Sequence, residues 1–196
     1  MDYEAAGYCR ERGLTTIAQA SAAALPYAAE TFDLVTMLDV LEHIPDDAGA
    51  LAEAMRVLRP GGLLMLAVPA YRFLWGAQDE VSRHVRRYTV PELGARMKAA
   101  NFAVRRLTYF NTALFPPIAA LRLLRRFIPA TRSDESDFHA PAPGPINGLL
   151  AAIFGSEAAL VARHDLPFGV SILGLAEKRA SVADAARAKS LVSSAD

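Results

Sequence analysis

Asp39, Glu42 and His43 stand within five residues of one another, directly after the apolar run FDLVTML at 32–38. His43 is the one of the three whose ordinary pKa lies near neutrality, so it is the candidate general base, with Glu42 beside it as a catalytic partner. The alternative is that Glu42 and His43 brace the helix that follows. The pair could also hold a divalent ion, but two adjacent ligands are a poor metal signature, and no metal site is expected. Farther on, Tyr71 and Trp75 offer flat faces, either to stack on a planar ligand or to pack beneath a loop. The phrase Ser82-Arg83-His84-Val85-Arg86-Arg87-Tyr88 places three Arg and one His within five residues. Guanidinium groups grip phosphate or carboxylate through paired hydrogen bonds, so His84, Arg86, Arg87 and Tyr88 are candidate substrate contacts. The alternative is a solvated loop balanced by Asp79 and Glu80.

The elements that must position these groups follow from local pattern. Residues 3–12 read as a helix closed by Gly13, and TTIAQA at 15–20 as a short strand. Residues 21–31 are a loop containing Ala24-Leu25-Pro26-Tyr27. The near-continuous apolar run at 32–38 suits a strand buried on both faces. Asp46 is a good N-cap for the next helix, and Leu51, Met55 and Leu58 give that helix one buried stripe. Pro60-Gly61-Gly62 ends it and leads to a strand at 63–68. Thr89-Val90-Pro91-Glu92 is a capping box for a helix whose inward face is Leu93, Met97 and Ala100, stopped by Asn101. Strands follow at 103–109 and 168–177. Between them, residues 112–165 hold two apolar helical stretches, near 117–128 and 146–162, around a loop rich in Pro, Ser and Asp. One domain over 1–179 is expected, with a flexible tail at 180–196.

The chain has 196 residues, of which 53% are hydrophobic and 21% charged, a globular composition with enough length for one core. Lys+Arg and Asp+Glu are both 21, so bulk charge gives no reason to expect a nucleic-acid partner. A single cysteine, Cys9, excludes a disulfide framework and a cysteine-rich metal cluster. No charge-free run reaches the length of a spanning helix, and the N-terminus lacks the pattern of a secretory signal, so a cytoplasmic location is expected. The stretch 117–128 places Arg122, Arg125 and Arg126 beside an apolar stripe of Ile118, Leu121, Leu124 and Ile128. That arrangement suits peripheral contact with a membrane surface.

The phrases ALPYAAETFDLVTMLDVLEHIPDD and RVLRPGGLLMLAVP resemble class I S-adenosylmethionine-dependent methyltransferases of the type 11 and type 23 groups. The resemblance covers about 3–110 and resumes at 167–178. It implies an α/β fold, a Rossmann-like sheet with strand order 3-2-1-4-5-7-6 and the last strand antiparallel. Strands 32–38, 63–68, 103–109 and 168–177 then correspond to the fourth, fifth, sixth and seventh. Strand 15–20 corresponds to the third, and 112–165 to a helical insertion, or lid, before the last strand. The family's first two strands, with their Gly-x-Gly loop and acidic ribose contact, have no counterpart. The sheet is therefore expected to lack them, as an N-terminally truncated form. Either the sequence starts at an internal methionine, or the chain has lost its cofactor site. Strand 32–38 then becomes an open edge, and either 15–20 slides against it or a partner chain covers it.

The resemblance further implies the cofactor S-adenosylmethionine, with contacts at Ser21, Ala22, Leu38 and Asp39. Ser21 stands where the family usually has an Asp facing the adenine amino group. It also implies that the Asp39–His43 turn faces the methyl group, with Tyr71 and Trp75 lining the acceptor pocket. The expected activity is methyl transfer to a hydroxyl, carboxyl or amine of a small-molecule or lipid-linked acceptor. The rival reading is a non-catalytic module that binds a partner or membrane through its open edge and apolar insertion. A dinucleotide-dependent oxidoreductase has no positive signal, since there is no Gly-x-Gly-x-x-Gly turn.

Overall fold

The structure, a computed structural model, describes residues 3–127 and 144–180. The elements are α1 (Tyr3–Glu11), β1 (Phe32–Leu38), α2 (Asp47–Val57), β2 (Leu58–Pro69), α3 (Ala77–Val81), α4 (Val90–Ala99), β3 (Phe102–Phe110), α5 (Phe115–Phe127), α6 (Gly144–Arg163) and β4 (Ser171–Lys178). Single 3-10 turns lie at Leu41–His43 and Arg72–Leu74. The strands form one four-stranded sheet in the order β1-β2-β4-β3. β1 and β2 are parallel, and β4 runs antiparallel to both of its neighbours. This is the order and polarity expected of the family's fourth, fifth, seventh and sixth strands.

α2 and α4 supply the buried residues Ala50, Leu51, Ala54, Val57, Leu93 and Met97. These join Leu64, Leu66, Val68, Ile172 and Ala176 of the central strands in one cluster, apart from Val57, which is buried alongside it. Asp46 caps α2, its carboxylate accepting from the Gly49 N–H at 2.9 Å. The helical stripe differs from the expected one. α2 ends at Val57, and Leu58 already belongs to β2. Pro60-Gly61-Gly62 does not stop a helix. It forms a bulge within β2, where the register jumps from Phe32↔Leu58 to Leu34↔Leu63 and Gly61 adopts φ +81°. Glycine is favoured there because it adopts such a backbone without the cost a side chain adds. The capping box at α4 is present, with the Glu92 carboxylate accepting from the Thr89 N–H at 2.8 Å. Asn101 closes that helix in the left-handed region.

Two strand expectations are corrected. Residues 15–20 form no strand and do not slide against β1. A short extended segment is stable in a sheet only when a neighbour satisfies its backbone, and among the described residues no strand pairs with the outer edge of β1. β1 is consequently not buried on both faces, with Leu34 52% and Leu38 53% exposed. The last strand starts at Ser171 and not at 168, because Gly169 lies against the Phe110 backbone and the Val170 carbonyl turns to accept from the Ala70 N–H at 2.9 Å. Both helices of the expected insertion are present as α5 and α6. The Pro- and Ser-rich loop between them, and the tail after 180, lie outside the described residues.

The loop before β1 is tied to α2 by charge. The Glu53 carboxylate accepts from the Leu25 N–H at 2.9 Å and from Arg56, whose guanidinium also donates to the Tyr27 and Leu25 carbonyls. The Arg56 bond, and then the Leu25 N–H, pull the Glu53 pKa from 4.5 down to about 2. A carboxyl with a depressed folded-state pKa stabilises the fold above its ordinary value and ceases to do so as pH falls. The urea midpoint of wild type should therefore exceed that of Glu53→Gln above about 4.5, and the gap should close as pH drops towards 2. A gap independent of pH would show that the tie is not carried by the ionised carboxylate.

Candidate active site

β1 and β2 are parallel neighbours, with Leu38 beside Ala67, so both deliver their following turns to the same rim. At that rim both chains turn through a left-handed residue, Asp39 at φ 51° and Tyr71 at φ 55°. Asp tolerates this conformation, whereas for Tyr it is strained. Tyr71 is held there by its N–H donating to the Tyr88 carbonyl at 2.8 Å, while the Tyr88 N–H donates to Pro69 at 3.0 Å. The segment 82–88 is thereby stitched alongside the end of β2, and it also reaches the end of β1, where the Val85 N–H donates to the Glu42 carbonyl at 2.8 Å.

The stitching brings His84 onto the Glu42–His43 turn. The His43 and His84 rings meet edge to face, 4.6 Å between centroids. Nε2 of His84 lies 4.0 Å from Oε1 of Glu42, and one ligand-type atom from each of Glu42, His43 and His84 falls within 4.8 Å of the others. Nδ1 of His84 is hydrogen-bonded to Oδ1 of Asp79 at 2.8 Å. Asp79 is wholly buried. It also takes a forked pair of bonds from Arg87, 2.7 and 3.0 Å, and one from the Gly76 N–H at 2.8 Å. Burial alone would raise the Asp79 pKa, but Arg87, His84 and the Gly76 N–H outweigh it and hold the carboxyl below its usual range.

Glu42 has the opposite environment. It is fully buried, and neither carboxylate oxygen has a hydrogen-bond partner. Burial pushes its pKa up from 4.5 to about 7. Its own backbone N–H, which lies near the carboxylate without hydrogen-bond geometry, pulls the other way, the Asp39 charge adds to the rise, and His84 and Arg87 partly offset it.

The structure separates the other candidates by role. Arg86 pairs with Asp47 at 2.6 Å and Arg87 with Asp79, so both guanidinium groups are committed to buried aspartates. Tyr88 is a core residue whose hydroxyl donates to Asp47 at 3.0 Å. Tyr71 and Trp75 do not act as a pair. Tyr71 stacks on Tyr109, 5.0 Å between centroids, and touches Phe73 and Phe115. Trp75 instead lines a groove of about 1030 Å³ together with Arg72, His84, Arg86, Tyr88 and Arg96. Ser21 is exposed, its backbone bridging to Ala24 and its hydroxyl accepting from the Ala23 N–H at 3.3 Å, while Ala22 packs on the core. Leu38 and Asp39 are exposed on the rim. Sequence reading gave Asp79 no role beyond balancing charge. The signal it carried was its spacing of three residues from Gly76 and five from His84, which lets one carboxylate serve both.

The sheet is an open α/β sheet with ionisable groups beyond the carboxyl ends of its parallel strands, the edge at which ligands sit in folds of this class. Residues 1–66 match the family described as a methyltransferase domain. Over 62 residues the chain is 42% identical to a ubiquinone biosynthesis O-methyltransferase of Methylococcus capsulatus, covering 31% of this chain and 26% of that protein. It is 38% identical over 79 residues to the ubiquinone/menaquinone biosynthesis C-methyltransferase UbiE of Klebsiella pneumoniae, covering 39% and 30%. The matches thus span about a quarter to a third of the length of these curated relatives. A SAM-dependent methyltransferase structure from Thermotoga maritima superposes with TM-score 0.52 at 19% identity, covering 90% of this chain and 70% of that one. In fold the chain is similar to SAM-dependent methyltransferase structures, and over residues 1–66 it matches the methyltransferase-domain family.

Proposed function

We propose that this chain takes part in S-adenosylmethionine-dependent methyl transfer to a small-molecule or lipid-linked acceptor. The observation that supports this most directly is the gathering of Glu42, His43 and His84 at the carboxyl rim of β1, with His84 shared by the adjoining groove. The matched family and the names of the similar proteins point the same way. The residues present fit one side of the cofactor. Leu38 offers an exposed apolar face, Asp39 a carboxylate at a tight turn, and Ser21 a hydroxyl, although the sequence contains no Gly-x-Gly turn. When bound, the cofactor supplies an electrophilic methyl carbon on a sulfonium. The chain's own part is to align the acceptor in the groove and to take its proton on His43. Calorimetric titration with S-adenosylhomocysteine should give saturable heat. Absence of heat at millimolar ligand would end the proposal for this chain.

A lipid-linked acceptor, with peripheral contact through α5, is supported by Leu121, Leu123 and Leu124, which are 44–58% exposed. Arg122 does not extend that surface, since its guanidinium lies over Gly76, where a methyl group would collide with it. Among the described residues, no helix is long and apolar enough to cross a membrane. The exposed Leu34 and Leu38 on the unpaired edge of β1 favour the second reading, a module whose edge takes a partner chain.

A further inference from the structure

We infer that Glu42, His43 and His84 form a binding site for a divalent transition-metal ion of the zinc type. Two histidines and a glutamate are a donor set used by zinc sites that keep a coordination position open. The three candidate donor atoms already lie within 4.8 Å of one another. Donors around a tetrahedral ion stand roughly 3.4 Å apart at ordinary zinc–ligand lengths. The 4.0 Å between His84 Nε2 and Glu42 Oε1 therefore needs the two side chains to draw in by only about half an ångström.

Two further observations point to a ligand and not to a chance cluster. Glu42 is wholly buried with both oxygens unpartnered, an arrangement whose cost a bound cation would remove. His84 has its Nδ1 fixed by the buried carboxylate of Asp79, which leaves Nε2 directed at Glu42. A carboxylate holding the remote ring nitrogen is the usual support of a metal-binding histidine. The surrounding charge also favours a dication. The Asp39 carboxylate lies close by, and the nearby Arg87 is neutralised by Asp79. His43 is exposed, so an ion can enter and an open position can face solvent.

The inference does not depend on methyl transfer, and its test reads binding alone; the two roles of His43 are alternatives, since an imidazole lone pair that holds the ion cannot also take an acceptor's proton. Chelator-treated protein is titrated with Zn²⁺ by calorimetry, and with Co²⁺ by visible absorption, whose intensity reports low coordination number. One-to-one binding is expected, with a rise in thermal midpoint on adding Zn²⁺. Glu42→Gln preserves shape and removes the anionic ligand, and His43→Ala alters an exposed side chain, so both should fold. Each should weaken Zn²⁺ binding, by about 100-fold or more for Glu42→Gln and at least roughly tenfold for His43→Ala. His164→Ala, distant in the chain and exposed, should leave it unchanged. Absence of stoichiometric binding by wild type would overturn the inference. So would affinities for Glu42→Gln and His43→Ala equal to wild type, which would mean Zn²⁺ sits elsewhere.

Discussion

Replacing Asp79 by alanine should destabilise the domain by about 3–5 kcal/mol, the range for removing one partner of a buried ion pair. In a chain of this size that is a fall in midpoint of very roughly 6–20 °C. The reason is what stays behind. Arg87 keeps its bond to the Ala70 carbonyl but loses both bonds to the carboxylate, and its guanidinium is mostly buried. His84 loses the acceptor at Nδ1, and the Gly76 N–H loses its only side-chain acceptor among the hydrogen bonds described. The exposed pair Arg59–Asp33 provides the contrast. Its partners are 52% and 81% exposed, so Asp33→Ala should cost no more than about 1 kcal/mol. Urea denaturation of the two variants checks the comparison. Equal losses would show that burial does not distinguish these pairs.

The second large effect lies at the centre of the sheet. Leu66 is fully buried on β2 and lies directly opposite Gly174 of β4. A methyl group added at Gly174 would stand 3.0 Å from a Leu66 methyl and 3.1 Å from a Leu107 methyl. Leu66 thus covers the space that the glycine leaves open. Leu66→Ala should cost about 2–5 kcal/mol through lost burial and a cavity. Gly174→Ala alone should cost about 1–3 kcal/mol by overpacking. Together they should cost less than their sum by about 0.5–3 kcal/mol, because the new methyl enters the vacated volume. Strict additivity in denaturant unfolding would mean that the two positions do not share space.

Local pattern carried much of the architecture. Asp46 and the Thr89–Glu92 box are short-range hydrogen-bond chemistry, and the structure uses both as caps. The strand order came with the family resemblance. What local pattern misjudged depends on neighbours. Apolarity at 32–38 says that a strand would accept cover on both faces, not that cover is present. TTIAQA has strand-like residues but pairs with no strand among the described residues. Glu42 and His43, adjacent in sequence, could be picked out as candidates together. The approach of His84, forty-one residues later, arises from the backbone bonds that lay segment 82–88 across the rim. Arg86 and Arg87 read as anion binders because their aspartate partners, Asp47 and Asp79, are recognisable as buried only in three dimensions.

The position of β4 has a consequence for biosynthesis. β2 and β3 are made first yet never touch as neighbours; the strand that joins them is the last of the four to be made. Their inner edges must wait, unpaired, while the ribosome adds α5 and α6. A nascent chain halted before Ser171 presents two sticky borders with nothing between them, which is when chaperone engagement should be strongest.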